Sequence, residues 1–294
     1  MYFIIYGFLY LFSLLPFFIL YRISDFVAFM LHSVLGYRKR IIIANLLQAF
    51  PEKTDKERKR IAKKFYLNFT DNFIETIKTL SISEKDFDKR CVGNFEVINE
   101  VASRGKNIQL LGAHKFNWEY ANLALGKNID IPFIAIYSPI ETSAFNKLFL
   151  KIRSKYKTIL VPTGSFKRKM HELMQKQHSM YLLADQNPGN LLHAYWLNFF
   201  GKLSPFINGP HRSAAKSGTA IIFVDFKKIK RGYYSFEAVK VIDDAAEFTP
   251  QQLTIQYRDF IETVVREQPD NYLWSHRRWK YHYTAEPVQI LIEH

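Results

Sequence analysis

A single cysteine, Cys91, stands in 294 residues, which excludes an intramolecular disulfide and any multi-cysteine metal site. Glycine and proline are sparse, at 12 and 11 residues, and no Gly/Ser-rich linker, low-complexity tract or internal repeat divides the chain. No His-Glu-x-x-His motif or second cluster of ligands supports a hydrolytic zinc site, and no metal is expected. Acidic residues are outnumbered, 27 against 41 Lys and Arg, giving a formal charge of +14 and favouring an anionic partner. Apolar residues make up 48% of the chain, ample for a buried core.

Charge is missing altogether from residues 1–21, MYFIIYGFLYLFSLLPFFILY. About 20 apolar residues are what a helix needs to cross the hydrocarbon core. The stretch has neither the positive n-region nor the cleavage site of a signal peptide, so it reads as a retained anchor. Pro16 predicts a kink, and the apolar stretch from Phe26 to Leu35 leaves a re-entrant or hairpin arrangement open. Arg38, Lys39 and Arg40 follow, then KTDKERKRIAKK, and the positive-inside rule puts this flank in the cytoplasm. The organisation expected is an anchor over 1–22 and one cytoplasm-facing domain over 23–294. A buried amphipathic helix is the alternative for the first segment.

Thr54 and Glu57 form a capping-box pattern ahead of a helix whose apolar positions include Ile61, Phe65, Phe69 and Phe73. Thr249, Pro250 and Gln252 mark a second helix start, with a stripe of Leu253, Tyr257, Phe260, Ile261 and Val264 and an end before Pro269. Between them, short apolar runs at 108–113, 133–137, 180–185, 220–226 and 234–241 read as strands. Helical segments are expected near 116–126, 141–155, 165–177 and 209–217. Strands alternating with helices imply an α/β fold: a mostly parallel sheet flanked by helices, with an N-terminal membrane helix.

Within LLGAHKFNWEYANLAL, residues 110–125, His114 ends an apolar run and Glu119 follows five positions later. Residues five apart are about 140° out of register on a helix, so both cannot ride one regular face. With His114 in a strand-to-helix turn and Glu119 in the first helical turn, the carboxylate could reach back to the imidazole. Sites of open α/β sheets lie at the carboxyl ends of strands. A base-plus-orienter pair follows, with Glu119 fixing the tautomer while His114 removes a proton. No serine or cysteine is positioned as a nucleophile inside the motif, so a bound hydroxyl is the more economical proton donor.

These residues resemble the bacterial lipid A biosynthesis acyltransferases, late acyltransferases of the lysophospholipid acyltransferase-like superfamily. The resemblance rests on the apolar N-terminus, ANLLQAFPEKTDKER (44–58), HKFNWE (114–119), LADQNPG (183–189), NFFGKLSPFINGP (198–210) and QPDNYLWSHRRWK (268–280). It implies a bacterial inner-membrane enzyme with a cytoplasmic active site. Such an enzyme transfers a fatty acyl group from acyl carrier protein to a hydroxyl of a lipid A precursor, without a cofactor. By the same resemblance His114 is the general base and Glu119 its partner, with Asn117 and Trp118 of that block at the substrate and Asp185 and Gln186 lining the site. Asp185 and Gln186 read equally as turn chemistry beside Asn187, Pro188 and Gly189. Arg153 is expected to bind a lipid phosphate or the carrier's phosphopantetheine arm, or else to be a solvated helix-end arginine. Phe116 stands where the family usually has glycine, and Ser138 where an arginine often stands, departures that bear on acceptor and acyl-chain preference.

Phe199 and Phe200 read as core ahead of an acyl pocket. His276, Arg277, Arg278 and Lys280, interleaved with Trp274 and Trp279, suit a headgroup interface; nucleic acid lacks a supporting motif and is not expected as a partner. Two other functions stay open: the same reaction on an aminolipid or other glycolipid, and a noncatalytic membrane-anchored protein that binds anionic lipid.

Overall fold

The structure is a computed structural model describing residues 2–165, 172–192, 194–286 and 289–292. Four helices come first: α1 (Tyr2–Leu14), α2 (Phe17–Phe29), α3 (Lys39–Ala49) and α4 (Asp55–Lys78). Pro16 breaks the first apolar run, as its lack of an N–H requires, and a π turn over Met30–Val34 prolongs α2. The boundary expected at residue 22 therefore falls inside α2, and α1 and α2, joined at Pro16, each pack on α4. Leu20, Ser24 and Ala28, one helical face, are buried where α2 packs along α4.

The α4 start carries both halves of the expected capping box: Thr54 Oγ1 accepts from the Glu57 N–H, and Glu57 accepts from the Thr54 N–H. Helix α5 (Glu84–Arg90) and α6 (Phe95–Ser103) then bracket strand β1 (Cys91–Gly93). The α/β body follows, with β2 (Ile108–Gly112), α7 (Trp118–Asn128), β3 (Phe133–Tyr137), α8 (Ser143–Arg153), β4 (Ile159–Pro162) and β5 (Ser179–Leu183). A small hairpin of β6 (Tyr195–Phe199) and β7 (Lys202–Phe206) leads to α9 (Gly209–Ser217), β8 (Ala220–Lys230), β9 (Tyr233–Ile242) and α10 (Pro250–Glu267). The helix expected over 165–177 lies largely outside the described residues.

Seven strands form one sheet in the order β1-β9-β8-β2-β5-β3-β4, parallel throughout except between β8 and β9. This is the expected α/β class. Alternate residues of the central strands feed two cores: Leu111, Ile221 and Phe223 face the α4 and α10 side, while Leu110, Ile222 and Val224 face α6 and α7. Burial on both faces explains why these strands are continuous apolar runs. The five strands read from sequence are present, whereas β1, β4 and the β6–β7 hairpin were not foreseen. That hairpin turns on Phe200 and Gly201, at φ 49° and 76°, and joins β10 (Ile290–Leu291) in a separate three-stranded sheet. Phe199 and Phe200 are buried, in keeping with the core reading.

Candidate active site

Strands β2 and β5 lie side by side with Gly112 opposite Leu183. Carried two residues past the sheet, this register sets His114 beside Asp185. His114 Nδ1 stands 2.7 Å from Asp185 Oδ1, and the His114 backbone N–H donates to Oδ2 at 3.2 Å. Burial alone would raise the Asp185 carboxyl, but His114, with help from the Tyr272 hydroxyl, holds it below the usual carboxylate range. An ionised Asp185 keeps the proton on Nδ1 and leaves Nε2 as an acceptor. The His114 side chain keeps 20% of its exposure while Asp185 has none.

The partner expected for His114 was Glu119; in the structure Asp185 bonds the imidazole and Glu119 bonds Arg153. Asn117 caps α7, its Oδ1 accepting from the Glu119 and Tyr120 N–H groups at 3.1 Å each. Glu119 thereby sits in the first turn facing α8, where Arg153 Nε donates at 2.8 Å and Nη2 at 2.5 Å. The Arg153 guanidinium, which burial would make less basic, is held above its ordinary value by Glu119. Arg153 is thus a paired, part-buried residue and not a solvated helix end.

The remaining candidates divide. Trp118, Gln186, Arg153 and Glu119 line a cavity of about 550 Å³ together with His114. Its floor is apolar, from Ala135 on β3, Leu160 on β4 and Leu182 on β5, and Asn187 and Pro210 stand at its other side. Asn117 was expected at the substrate, but it is fully buried and serves as a brace. Its amide donates to Glu75 Oε2 at 3.0 Å, and the same carboxylate accepts from Tyr234 and Tyr21 hydroxyls at 2.7 and 3.0 Å. Burial and the nearby Asp71 push the Glu75 carboxyl up, against Lys228 and the hydroxyl and amide donors. Asp185 likewise stands behind His114 instead of lining the cavity.

The 268–280 block is the clamp on this turn. Asn271 exchanges two hydrogen bonds with Phe116, at 3.0 and 2.8 Å, and the Leu273 N–H donates to the His114 carbonyl at 3.1 Å. Trp274 and Arg278 are 1% and 2% exposed, so the headgroup interface expected of this cluster does not include them. Arg278 donates to Asn187 Oδ1 and lies over the Phe199 and Phe206 rings. On the other flank, buried Lys115 donates to buried Asp225 at 2.6 Å, fixing the backbone next to His114. Phe116 fills the space among Phe65, Phe69 and Trp118. A glycine there would leave a cavity.

Comparison with known proteins agrees with the motif order. A family model described as bacterial lipid A biosynthesis acyltransferase matches residues 1–281. The chain is 21% identical over 280 residues to a lipid A biosynthesis palmitoleoyltransferase of Escherichia coli K12, covering 93% of this chain and 89% of that protein. It is 22% identical over 281 residues to a lipid A biosynthesis lauroyltransferase of the same strain, with the same coverage. A Shigella flexneri lipid A biosynthesis acyltransferase matches at 21% over 280 residues. A match running from the N-terminal apolar helices through the clamp over the histidine turn makes the chain a member of the bacterial lipid A biosynthesis acyltransferase family.

Proposed function

We propose that this protein is a membrane-bound enzyme that moves a fatty acyl group from the thioester of acyl carrier protein to a hydroxyl of a lipid A precursor. The observation that carries the reading is the 2.7 Å contact of His114 with Asp185 beside a cavity of about 550 Å³ with an apolar floor. A cavity of that form suits an acyl chain whose reactive end lies at the histidine.

In the proposed step His114 Nε2 takes the acceptor hydroxyl proton as the oxygen attacks the thioester carbonyl. The new C–O bond forms, the C–S bond breaks, and the imidazolium returns its proton to the leaving thiolate. Asp185 orients the ring and stabilises its charged form. Glu119, in place of orienting the histidine, fixes Arg153 at the cavity wall. The guanidinium edge not engaged by Glu119 is then available to the developing oxyanion or to a phosphate of either substrate. No cofactor is required. The net charge of +14 suits an acidic carrier protein, and the apolar N-terminal helices suit a bacterial inner membrane with the catalytic domain on its cytoplasmic side.

The test is transfer of radiolabelled acyl groups from acyl carrier protein to a panel of lipid A precursors, lyso-aminolipids and lysophospholipids by detergent-solubilised protein. Labelling of a lipid A precursor is expected. Labelling only of another lipid would keep the reaction and replace the acceptor. Anionic-lipid binding with no transfer to any acceptor would leave the noncatalytic reading in its place.

A further inference from the structure

The N-terminal apolar segment has the composition of a membrane span, and its contacts argue about how it meets the membrane. Helix α1 has 13 residues, about 20 Å at 1.5 Å per residue, too short for a hydrocarbon core of about 30 Å. The run Phe17–Val34, α2 with its π turn, has 18 residues and about 27 Å, enough to cross. Its midpoint, however, is Asp25, whose carboxylate stands 2.7 Å from Arg231 Nη2 in the β8–β9 turn. Arg231 also grips the buried Asp71 of α4, which accepts at 2.7 Å from the Ser24 hydroxyl. Asp25 and Arg231 each keep more than a third of their side-chain exposure. Were α2 to cross, this ion pair would sit open to lipid at the bilayer centre, where charged side chains are strongly disfavoured.

Both ends of α2 are tied down as well. Ahead of it, Lys78 Nζ donates to the Ser13 and Leu15 carbonyls at 2.7 and 3.0 Å, and Ser81 donates to Ser13. Beyond it, the Tyr66 hydroxyl donates to the Tyr37 carbonyl at 2.6 Å. Helix α1 returns to the body through Lys151, which donates to the Tyr6 hydroxyl. Both helices therefore lie along the domain, α2 on α4 and α1 on α4 and α8, and do not project from it. Their outer face is apolar: Phe3, Phe8, Leu11, Phe18, Phe26 and Phe29 are all more than half exposed. Arg38, Lys39 and Arg40 follow at their exposed end, placed for anionic headgroups.

We infer that α1 and α2, lying along the domain, seat the enzyme in one leaflet, with the N-terminus, the Pro16 turn and the catalytic domain all on the same side of the bilayer. This rests on the membrane reading above and specifies its geometry. The occupant of the apolar face is the acyl region of a single anionic leaflet. A one-leaflet seat brings the cavity to the surface where a lipid acceptor already lies.

The test uses the full chain in a bacterial inner membrane, with Cys91→Ala removing the native thiol and single cysteines placed at Leu14→Cys or in a short tail ahead of Met1. A membrane-impermeant maleimide is applied to intact spheroplasts, to inside-out vesicles and to detergent-solubilised protein. The inference expects spheroplast labelling at both sites at least tenfold below the detergent level, with the tail labelled fully in inside-out vesicles. Spheroplast labelling of either site near the detergent level means that the segment crosses, and overturns the inference while leaving membrane attachment intact. Release of the chain into solution by an alkaline carbonate wash would instead remove the membrane reading and the inference with it.

Discussion

Glu119 lines the cavity and Asp185 stands one residue behind it, at His114; both are buried, and they hold opposite kinds of partner. Asp185 grips an imidazole, whose charge changes when a proton arrives; Glu119 grips a guanidinium, whose charge does not change. The first carboxylate comes from the end of a neighbouring parallel strand, the second from the helix that follows the histidine. Nearness in sequence thus gave way to strand register: the residue 71 positions away reaches His114, and the one five positions away turns to α8. A carboxylate on a group of variable charge can take part in proton transfer, and one locked to a permanent cation shapes and fixes the wall.

The largest effect that would sharpen this contrast is loss of His114. His114→Ala should lower acyl transfer by ~10²–10⁴-fold while the protein still unfolds cooperatively, at a lower melting temperature because buried Asp185 loses its partner, read by radiolabelled transfer and calorimetry on the same preparation. Asp185→Asn should follow at ~10²-fold, acting on kcat, because a neutral amide no longer fixes the tautomer or stabilises the imidazolium. A fall confined to KM would break the assignment.

Glu119→Gln should act chiefly on stability and substrate affinity. Leaving Arg153 unpaired should cost about 2 kcal/mol, less than for a fully buried pair because Arg153 keeps 19% of its exposure. A double-mutant cycle of Glu119→Gln with Arg153→Met, followed by urea unfolding, should give a coupling of about 1–2 kcal/mol. The cycle with His114→Ala should give under about 0.5. Equal couplings would erase the distinction.

The smallest effect is on acid stability. The folded-state Asp185 carboxyl titrates below its ordinary value of 3.8, so the stability it contributes is complete above that pH and is lost as pH falls through the lower, folded-state value. Melting temperatures between pH 5 and 2 should therefore fall less steeply in Asp185→Asn than in the parent. A steeper fall would mean that Asp185 is not held ionised.

Much of the fold was legible because its signals are local. Thr54 with Glu57 and Thr249 with Gln252 cap their helices as their spacing implies, and the stripe from Leu253 to Val264 is buried. Pro16 breaks its helix where proline must. The β6–β7 hairpin escaped notice because its two-residue turn puts a phenylalanine, a rare choice, at positive φ ahead of Gly201. At the site, the histidine turn and the cavity end of the sheet could be read from a strand running into a helix. The bond from Asp185 could not, since it depends on which strands pair and in what register. Asn117 misled for another reason: within a motif block, a residue that braces and one that touches substrate look alike, and only its burial against Glu75 separates them.

Glu75 joins two regions that a protein engineer would wish to separate. Deleting residues 1–34 is the obvious route to a soluble enzyme. It would strip Tyr21 from Glu75, Ser24 from Asp71 and Asp25 from Arg231, and open the groove on α4 that Leu20 and Ala28 fill. Water would then reach the acid that braces the cap of α7, and the histidine turn would loosen although no residue of the cavity had been touched. Extraction of the whole chain in detergent, and not truncation, is the preparation that keeps the histidine in register.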